Sequence, residues 1–475
     1  MNHIIFLKKR GVTVMLVLVF MGVFGLAVST LASYIFTQSN VSRAKLAREQ
    51  AFSVAEAGLE YYRWFLEHNP GNLTNGTGAS GPYEYTVTDP EGGELGTASI
   101  SVTGNTVCNV LQSIDISSEG SADANPAFSR TLSARYAQPS VARFSHVLNA
   151  NVWAGSDRNI TGPYHSNGGI RMDGTNNSTV SSGVATWLCT SSFGCSPNQN
   201  RPGVFGGSPN SSLWEFPVPQ VNFAGMLSDL PSLKSRAQSH GLYFASYSGG
   251  NDRRGYWLIF NSNRTVTVRR VTGTNYADSI HIDNMSTWVR DYHRITTYNT
   301  LGTYTIPANC GLIFVEDKVW VQGTISGKVT LVAADLVHAG YAPDMILQNN
   351  IGYTTPAGTD GFTAIAEHSV LYGYDIPTNM SVRGIYVAQT GYYGRNLYPC
   401  TYAPYDKRTS LLLHGSIVST QRVGTQWGYT MSGCGSTWSG FNTRTDSYDR
   451  LLALDPPPFT PVTSADHRFI LWREE

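Results

Sequence analysis

The side chains best suited to chemistry in this chain form a loose series of acids, Glu316, Asp317, Asp335, Asp344, Asp360 and Glu367, with His338 and His368 among them. Carboxylates on neighbouring strands can act as general acid and base on a glycosidic bond, or can hold calcium. No spacing repeats in the series, and acids at turns are ordinarily just solvated, so the residues alone do not indicate catalysis. Gly323 to Thr330 resembles a phosphate-binding loop, but it is one residue short between its glycines and carries Val329 where Ser or Thr must reach the metal. The chain holds no H-E-x-x-H, no G-x-S-x-G and no EF-hand loop. His165-Ser166-Asn167-Gly168-Gly169 reads as a turn with φ above zero rather than a nucleophile site. No catalytic residue, cofactor or metal site is therefore expected.

Six cysteines are present, and only Cys189 and Cys195 lie close together. In an exported protein that pair reads as a short disulfide loop. Spacing does not pair Cys108, Cys310, Cys400 and Cys434, and the lack of C-x-x-C argues against zinc. Trp153, Trp187, Trp320 and Trp427 would stack on sugars if exposed, and core packing explains them equally well.

The elements that carry these residues follow from composition and period. The chain has 475 residues, with 33 Lys plus Arg against 33 Asp plus Glu, so nothing in the balance draws it to nucleic acid. Charged residues at 14% with 47 Gly disfavour coiled coils and helical bundles and suit an extracellular, mainly β protein. From Tyr83 the apolar period is 2, predicting short strands over Tyr83 to Val87, Thr97 to Val102, Ser113 to Ser118 and Phe128 to Tyr136. Beyond Gln138 a pattern of apolar-x-Gly-x-apolar recurs at Ile160 to Tyr164, Val321 to Ile325, Val382 to Tyr386 and Leu413 to Ile417. Apolar residues flanking an inward Gly suit stacked coils, which predicts a β-solenoid, with a sandwich of short strands as the alternative. The irregular spacing of the pattern implies insertions. The largest, 203–304, is expected as an αβ lobe with a helix over Phe223 to His240 and a hairpin around Asn261-Ser262-Asn263. The end of the chain, 444–475, with its proline run, is expected as a strap along the coils.

The N-terminus is the most informative part. After Lys8, Lys9 and Arg10 no charge appears until Arg43, and Val12 to Phe36 is apolar over about 37 Å as a helix, enough to span a bilayer. Ala44, Ala47, Ala51, Val54, Ala55, Gly58, Leu59, Tyr62 and Phe65 then continue one apolar stripe until His68-Asn69-Pro70-Gly71-Asn72 stops the helix. The basic leader favours a cytoplasmic N-terminus. The plain alternatives are an anchor with a stalk, or a signal peptide cut near Ala32.

Lys8-Lys9-Arg10-Gly11-Val12-Thr13-Val14-Met15-Leu16 resembles the class III leader of type IV pilins. That resemblance implies cleavage by a prepilin peptidase after Gly11 and methylation of Val12. Leu16 stands at the fifth mature position, where most pilins carry Glu, which is similar to a tip pseudopilin. Gln50-Ala51-Phe52-Ser53-Val54-Ala55-Glu56-Ala57-Gly58-Leu59-Glu60 resembles the helix of PilX-type minor pilins, and Ile116 to Gly120, Arg130 to Leu132 and the closing segment resemble other parts of that family. The expected fold is α+β, mainly β: leader 1–11, transmembrane and amphipathic helix 12–68, small antiparallel head 69–138, solenoid parts 139–202 and 305–443 around the lobe 203–304, and strap 444–475. The resemblance implies a non-enzymatic minor pilin or pilus-tip subunit in assembly, adhesion or both. Its partners would be the membrane, the prepilin peptidase, other pilins and a surface ligand or polysaccharide, with no nucleic acid. It would sit once across the inner membrane, N-terminus inside, and reach a pilus or the cell surface after processing. A membrane-anchored β-helix acting on carbohydrate and an anchored solenoid scaffold remain the competing readings.

Overall fold

The computed structural model describes residues 10–282, 286–355 and 358–475, so most of the leader lies outside the described residues. The chain is mostly β, with one long apolar helix at its N-terminus and large sheets of mixed pairing. It divides into two compact units, the first running to Gly104 with Ile114–Tyr136 and Leu471–Glu475, the second taking Asn105–Ser113 and Ala137–Ile470.

In the first unit α1 (Arg10–His68) has two halves of different character. The apolar stretch long enough to cross a membrane has none of its residues buried. From Ala47 onward the same helix buries a stripe of Ala51, Val54, Ala55, Leu59, Tyr62 and Leu66, at the spacing of one helix face. The stripe packs on a sheet of β1 (Tyr83–Thr88), β2 (Glu94–Val107), β3 (Val110–Ala122) and β4 (Ser129–Ala137), with the strand Arg468–Glu474 beside β4. The first and last pairs are antiparallel, with Tyr83 opposite Ile100 and Ile116 opposite Ala134. Small residues set the distance between helix and sheet: a Cβ on Gly58 would lie 2.3 Å from Ser118 Oγ and 2.7 Å from Ala98 Cβ. The helix ends where Asn69 N–H bonds the Phe65 carbonyl at 2.8 Å and Gly71 turns at φ +73°.

The second unit is organised by parallel pairing between short strands. One ladder passes in register from Leu242–Phe244 through Leu312–Val315, Lys328–Ala333, Gly361–Ala366, Asn379–Ala388 and Lys407–Ser419 to His146–Leu148, Tyr164–Ser166, Val180–Ser182 and Trp214–Glu215. A second joins Gly255–Asn261, Val319–Ile325, Met345–Tyr353 and Val370–Tyr372. Ile313, Val315, Val319, Val321, Ile325, Val329, Leu331 and Ala333 all face one fully buried core. The apolar residues of the glycine pattern join them, but the glycines do more than leave room. Gly162, Gly323, Gly384 and Gly415 take φ of +102°, +114°, +139° and +146°; the last three bend the strands that hold them, and Gly162 turns the chain between Arg158–Thr161 and Tyr164–Ser166. Gly384 and Gly415 lie in register, and a Cβ on Gly415 would stand 1.9 Å from the Gly384 carbonyl oxygen.

Residues 203–304 correct the expected inserted lobe. Trp214 pairs with Val180, Leu242 with Ile313 and Tyr256 with Val319, all parallel, so the segment supplies strands to the same ladders, and Val204 pairs parallel with Ile170 in a separate three-stranded sheet with Val152–Ala154. The chain enters the stack in its middle, runs to the Trp214 end, and rejoins at the Leu242 end. That re-entry, not an insertion, separates Gly162 from Gly323. The expected helix over Phe223 to His240 is broken into α2 (Phe223–Met226) and α3 (Leu230–His240), because Asp229 caps a new start and Pro231 occupies its first turn. Phe223, Met226, Leu230, Leu233 and Ala237 cover the outer face of the first ladder, against Phe314, Val332, Ile365 and Val418. The hairpin of Thr265–Ile280 and Trp288–Thr305 leaves the ladders, and it pairs antiparallel with Gly255–Asn261, closing an edge that would otherwise be open.

The strap begins later than expected, since Arg444 still lies in the strand Gly435–Ser447. After α4 (Arg450–Leu454) the proline run lies on the ladder, where Thr330 donates to the Pro458 carbonyl and the Thr363 and Thr460 hydroxyls meet at 2.7 Å. All six cysteines are bonded: Cys108 to Cys310, Cys189 to Cys195 and Cys400 to Cys434.

Candidate functional site

The acids singled out above are not gathered into one site. Glu316 accepts from Lys234 Nζ and Tyr243 Oη. Asp317 accepts the N–H groups of Tyr247 and Ser248 at 3.0 and 2.8 Å, Asp344 holds His368 Nδ1 at 2.7 Å, and Asp335 holds His338 Nδ1 at 2.8 Å. Glu367 accepts the Asp335 N–H at 2.8 Å. Asp360 takes the Gly327 N–H at 2.6 Å, a donor that a phosphate would need. Five of these carboxylates, Asp317, Asp335, Asp344, Asp360 and Glu367, thus hold backbone N–H groups between stacked strands, while Glu316 joins α3 to the strand Leu242–Phe244 through side chains, and no cluster of three metal-ligating side chains occurs among the described residues. In the His165 turn neither Gly168 nor Gly169 has a positive φ, contrary to expectation. They are there for space: a Cβ on Gly169 would lie 2.1 Å from the Trp187 ring.

The four tryptophans separate by burial. Trp320 is fully buried and donates to the His293 carbonyl at 2.7 Å, and Trp187 packs on the Cys189–Cys195 bridge. Trp427 is nearly buried and donates to the Arg395 carbonyl at 2.7 Å. Trp153 alone of the four is substantially open, at 37%.

Trp153 and Trp427 line one cleft of about 720 Å³, within the roughly 300–1,000 Å³ of small-molecule sites. Its walls come from five places in the chain: the turn after the strand Val152–Ala154, Asp173, the disulfide loop through Ser191, Ser192 and Gly194, the turn Arg422–Gly424, and Gln426 with Arg444. Trp153 is held on one face by the Arg171 guanidinium, 4.2 Å from the ring centroid, and by its Nε1–H, which donates to Asp173 at 2.7 Å. Asp173 also accepts from Arg171 at 2.8 Å. Asp157 takes two bonds from Arg444, at 2.7 and 2.6 Å. Arg422 donates to the Ser192 carbonyl at 2.8 Å and lies over the Phe193 ring at 4.4 Å. Both lining carboxylates are therefore already neutralised and fixed, while the hydroxyls of Ser156, Ser191 and Ser192 make no hydrogen bond to another described residue.

Below the cleft a charge pair is sealed into the core. Arg158 donates to Asp446 through Nε at 2.9 Å and through its terminal nitrogen, and that nitrogen also reaches His146 Nε2 at 3.4 Å. Burial lowers His146 to a pKa of about 3, Asp446 and Arg158 opposing and assisting that shift in turn, so the ring is neutral with Nε2 as acceptor. Burial alone would raise Asp446, but Arg158 and its neighbours hold it below the usual carboxylate range.

A pH dependence follows. The unfolded chain protonates His146 near 6.5 while the folded chain resists until about 3, so the unfolded state binds the extra proton and stability falls as pH drops below 6.5. His146 by itself takes away on the order of 1 kcal/mol by pH 5.5, and His165 and His293, both lowered mainly by burial, act in the same direction. Urea midpoints should be flat from pH 8 to 7 and decline below 6.5. An His146→Gln variant should show a shallower decline, and an unchanged slope would contradict the assignment.

Trp153, Trp427 and the disulfide loop stand out separately in the sequence, where nothing signals that they meet. Asp157, Asp173, Arg422 and Arg444 carried no signal, because Arg444 and Asp157 are 287 residues apart.

The molecule is thus a β-rich protein with an exposed apolar N-terminal helix and a cleft built from side chains distant in sequence. No family model matches the chain, and none of the curated proteins does. Among solved structures it is similar to the competence-associated pilin ComZ from Thermus thermophilus, at 13% identity and a TM-score of 0.26, over 90% of this chain and 98% of that one.

Proposed function

We propose that the chain is a pilin-like surface protein, a minor or tip subunit of a type IV pilus-like system acting in assembly, adhesion or both. The observation that carries the proposal is α1: one continuous helix with a bare apolar half and a second half seated by Ala51, Ala55 and Gly58 on a small antiparallel sheet. A bare apolar helix of this length needs lipid or the helices of other subunits around it. The leader resemblance supplies the route, cleavage after Gly11 and a new N-terminus at Val12. Leu16, 53% exposed on the same helix, offers no carboxylate to a neighbour's amine, which favours a terminal position over repeated incorporation in a shaft. The N-terminus would begin inside the inner membrane and the remainder would be exported.

In this reading the second unit is a β-solenoid presented at the surface. Its in-register parallel ladders and bending glycines support that architecture. The antiparallel hairpin over the strand Gly255–Asn261 weighs against a scaffold growing end to end, and the engagement of each candidate acid by partners within the fold favours an interaction role over catalysis.

Processing is the test. Co-expression with a prepilin peptidase should give a mature protein starting at N-methylated Val12, by intact mass and terminal peptide analysis, and Gly11→Leu should block it. Unprocessed Met1 with active peptidase, or a cut near Ala32, would sink the pilin reading.

A further inference from the structure

We propose that the cleft beside the Cys189–Cys195 loop binds a neutral saccharide chain, with Trp153 as the stacking platform. Sugar rings present a face of C–H groups and a rim of hydroxyls, and they are held by an aromatic face together with fixed polar groups. Trp153 supplies the face. Its indole is locked before any ligand arrives, by Asp173 at Nε1 and by Arg171 stacked behind it, so little ordering cost remains for binding. Gly194 is part of the same construction: it turns at φ +77°, and a Cβ there would lie 2.9 Å from Trp153 and 2.2 Å from Arg171, so the disulfide loop can close against the ring only with glycine at that place.

The charge arrangement selects the ligand class. Asp157 and Asp173 are each bound by an arginine, Arg158 is consumed by Asp446 beneath, and Arg422 is turned onto the Ser192 carbonyl and the Phe193 and Trp427 rings. Neither carboxylate is left to attract a cation, and both keep acceptor lone pairs that hydroxyl groups can reach. The rim adds the hydroxyls of Ser156, Ser191 and Ser192 and the Gln426 amide, groups that give and accept neutral hydrogen bonds. A volume of about 720 Å³ that is open to solvent admits a stretch of chain rather than a single ring.

The inference deepens the surface-protein reading and rests on it only for the expectation that the domain meets polysaccharide; binding is measurable whether or not the leader is processed. The full chain, purified in a detergent without a sugar headgroup, is titrated with maltohexaose, cellohexaose and chitohexaose by calorimetry and tryptophan fluorescence. The expected result is saturable binding of at least one of them, weakened about tenfold or more in Trp153→Ala, partly rescued in Trp153→Phe, and unchanged in Trp288→Ala, a tryptophan exposed elsewhere on the same unit. Binding of none of the three overturns the proposal. So does binding that Trp153→Ala leaves intact in a variant whose unfolding midpoint shows that it is folded. Failure here with normal processing at Val12 removes the saccharide site and leaves the pilin reading standing, and the reverse outcome does the opposite.

Discussion

Asp446→Asn is expected to destabilise the second unit by about 3–5 kcal/mol, because it leaves the Arg158 guanidinium buried without its counter-charge. Arg158 is 5% exposed and Asp446 1%. The immediate neighbours of Asp446 on its rung are apolar: it is in register with Leu413 on one side and Ile160 on the other. An acid in that place makes sense only with a partner, and Arg158 arrives from a strand two residues short of Ile160. Neutral His146 accepts from the same terminal nitrogen, so a charge left by Asp446→Asn would find no counter-charge there. The measurement is urea unfolding followed by tryptophan fluorescence. A paired substitution, Arg158→Met with Asp446→Leu, removes both charges and should be more stable than Asp446→Asn by a few kcal/mol, as apolar replacements of buried pairs often are. If Asp446→Asn lay within about 1 kcal/mol of the parent, the pair would not be carrying the charge as described.

The contrast between this pair and the rest of the core explains how far the sequence could be read. α1 was legible throughout, since its apolar run, its stripe and its stop at His68 to Asn72 are local signals of period and turn chemistry. β1 and β4 were legible to within a residue at each end, while β2 and β3 were legible in position but short by several residues, because alternation fades where they continue as the hairpin around Cys108 and Asn109. The glycine pattern identified strands that stack, with Val382, Tyr386, Leu413 and Ile417 buried as their spacing implies. What it hid was the order of stacking. Strand Lys407–Ser419 pairs with His146–Leu148, and no local pattern can report a contact across that length of chain. The same limit concealed the cleft, whose walls meet only after the ladders have formed, and it made residues 203–304 look like an insertion when they cross the stack and complete both of its ends.

The cysteines give the second large effect. Removing Cys108–Cys310 should cost more than removing either other bridge, because the loop it closes in the unfolded chain is far longer: the separations are 202, 34 and 6 residues. Loop-closure entropy assigns about 5, 4 and 2 kcal/mol in that order. The Cys108 site is also built to receive the bond. Cys108 and Asn109 turn at φ +49° and +60°, the Cys108 N–H donates to the Asn309 carbonyl at 3.0 Å, and both sulfurs are buried, so a free thiol pair there would be trapped in the core rather than solvated. Urea midpoints of the double variants Cys108→Ala with Cys310→Ala, Cys400→Ala with Cys434→Ala, and Cys189→Ala with Cys195→Ala should fall in that sequence of severity. A costliest loss at Cys189–Cys195 would mean that local packing around Trp187, not chain entropy, sets the balance. The same bonds bear on where the domain works, since three bridges persist only in an oxidising compartment. Alkylation of intact cells before lysis should therefore find no free thiol on this protein if its second unit is exported, and six if that unit stays in the cytoplasm.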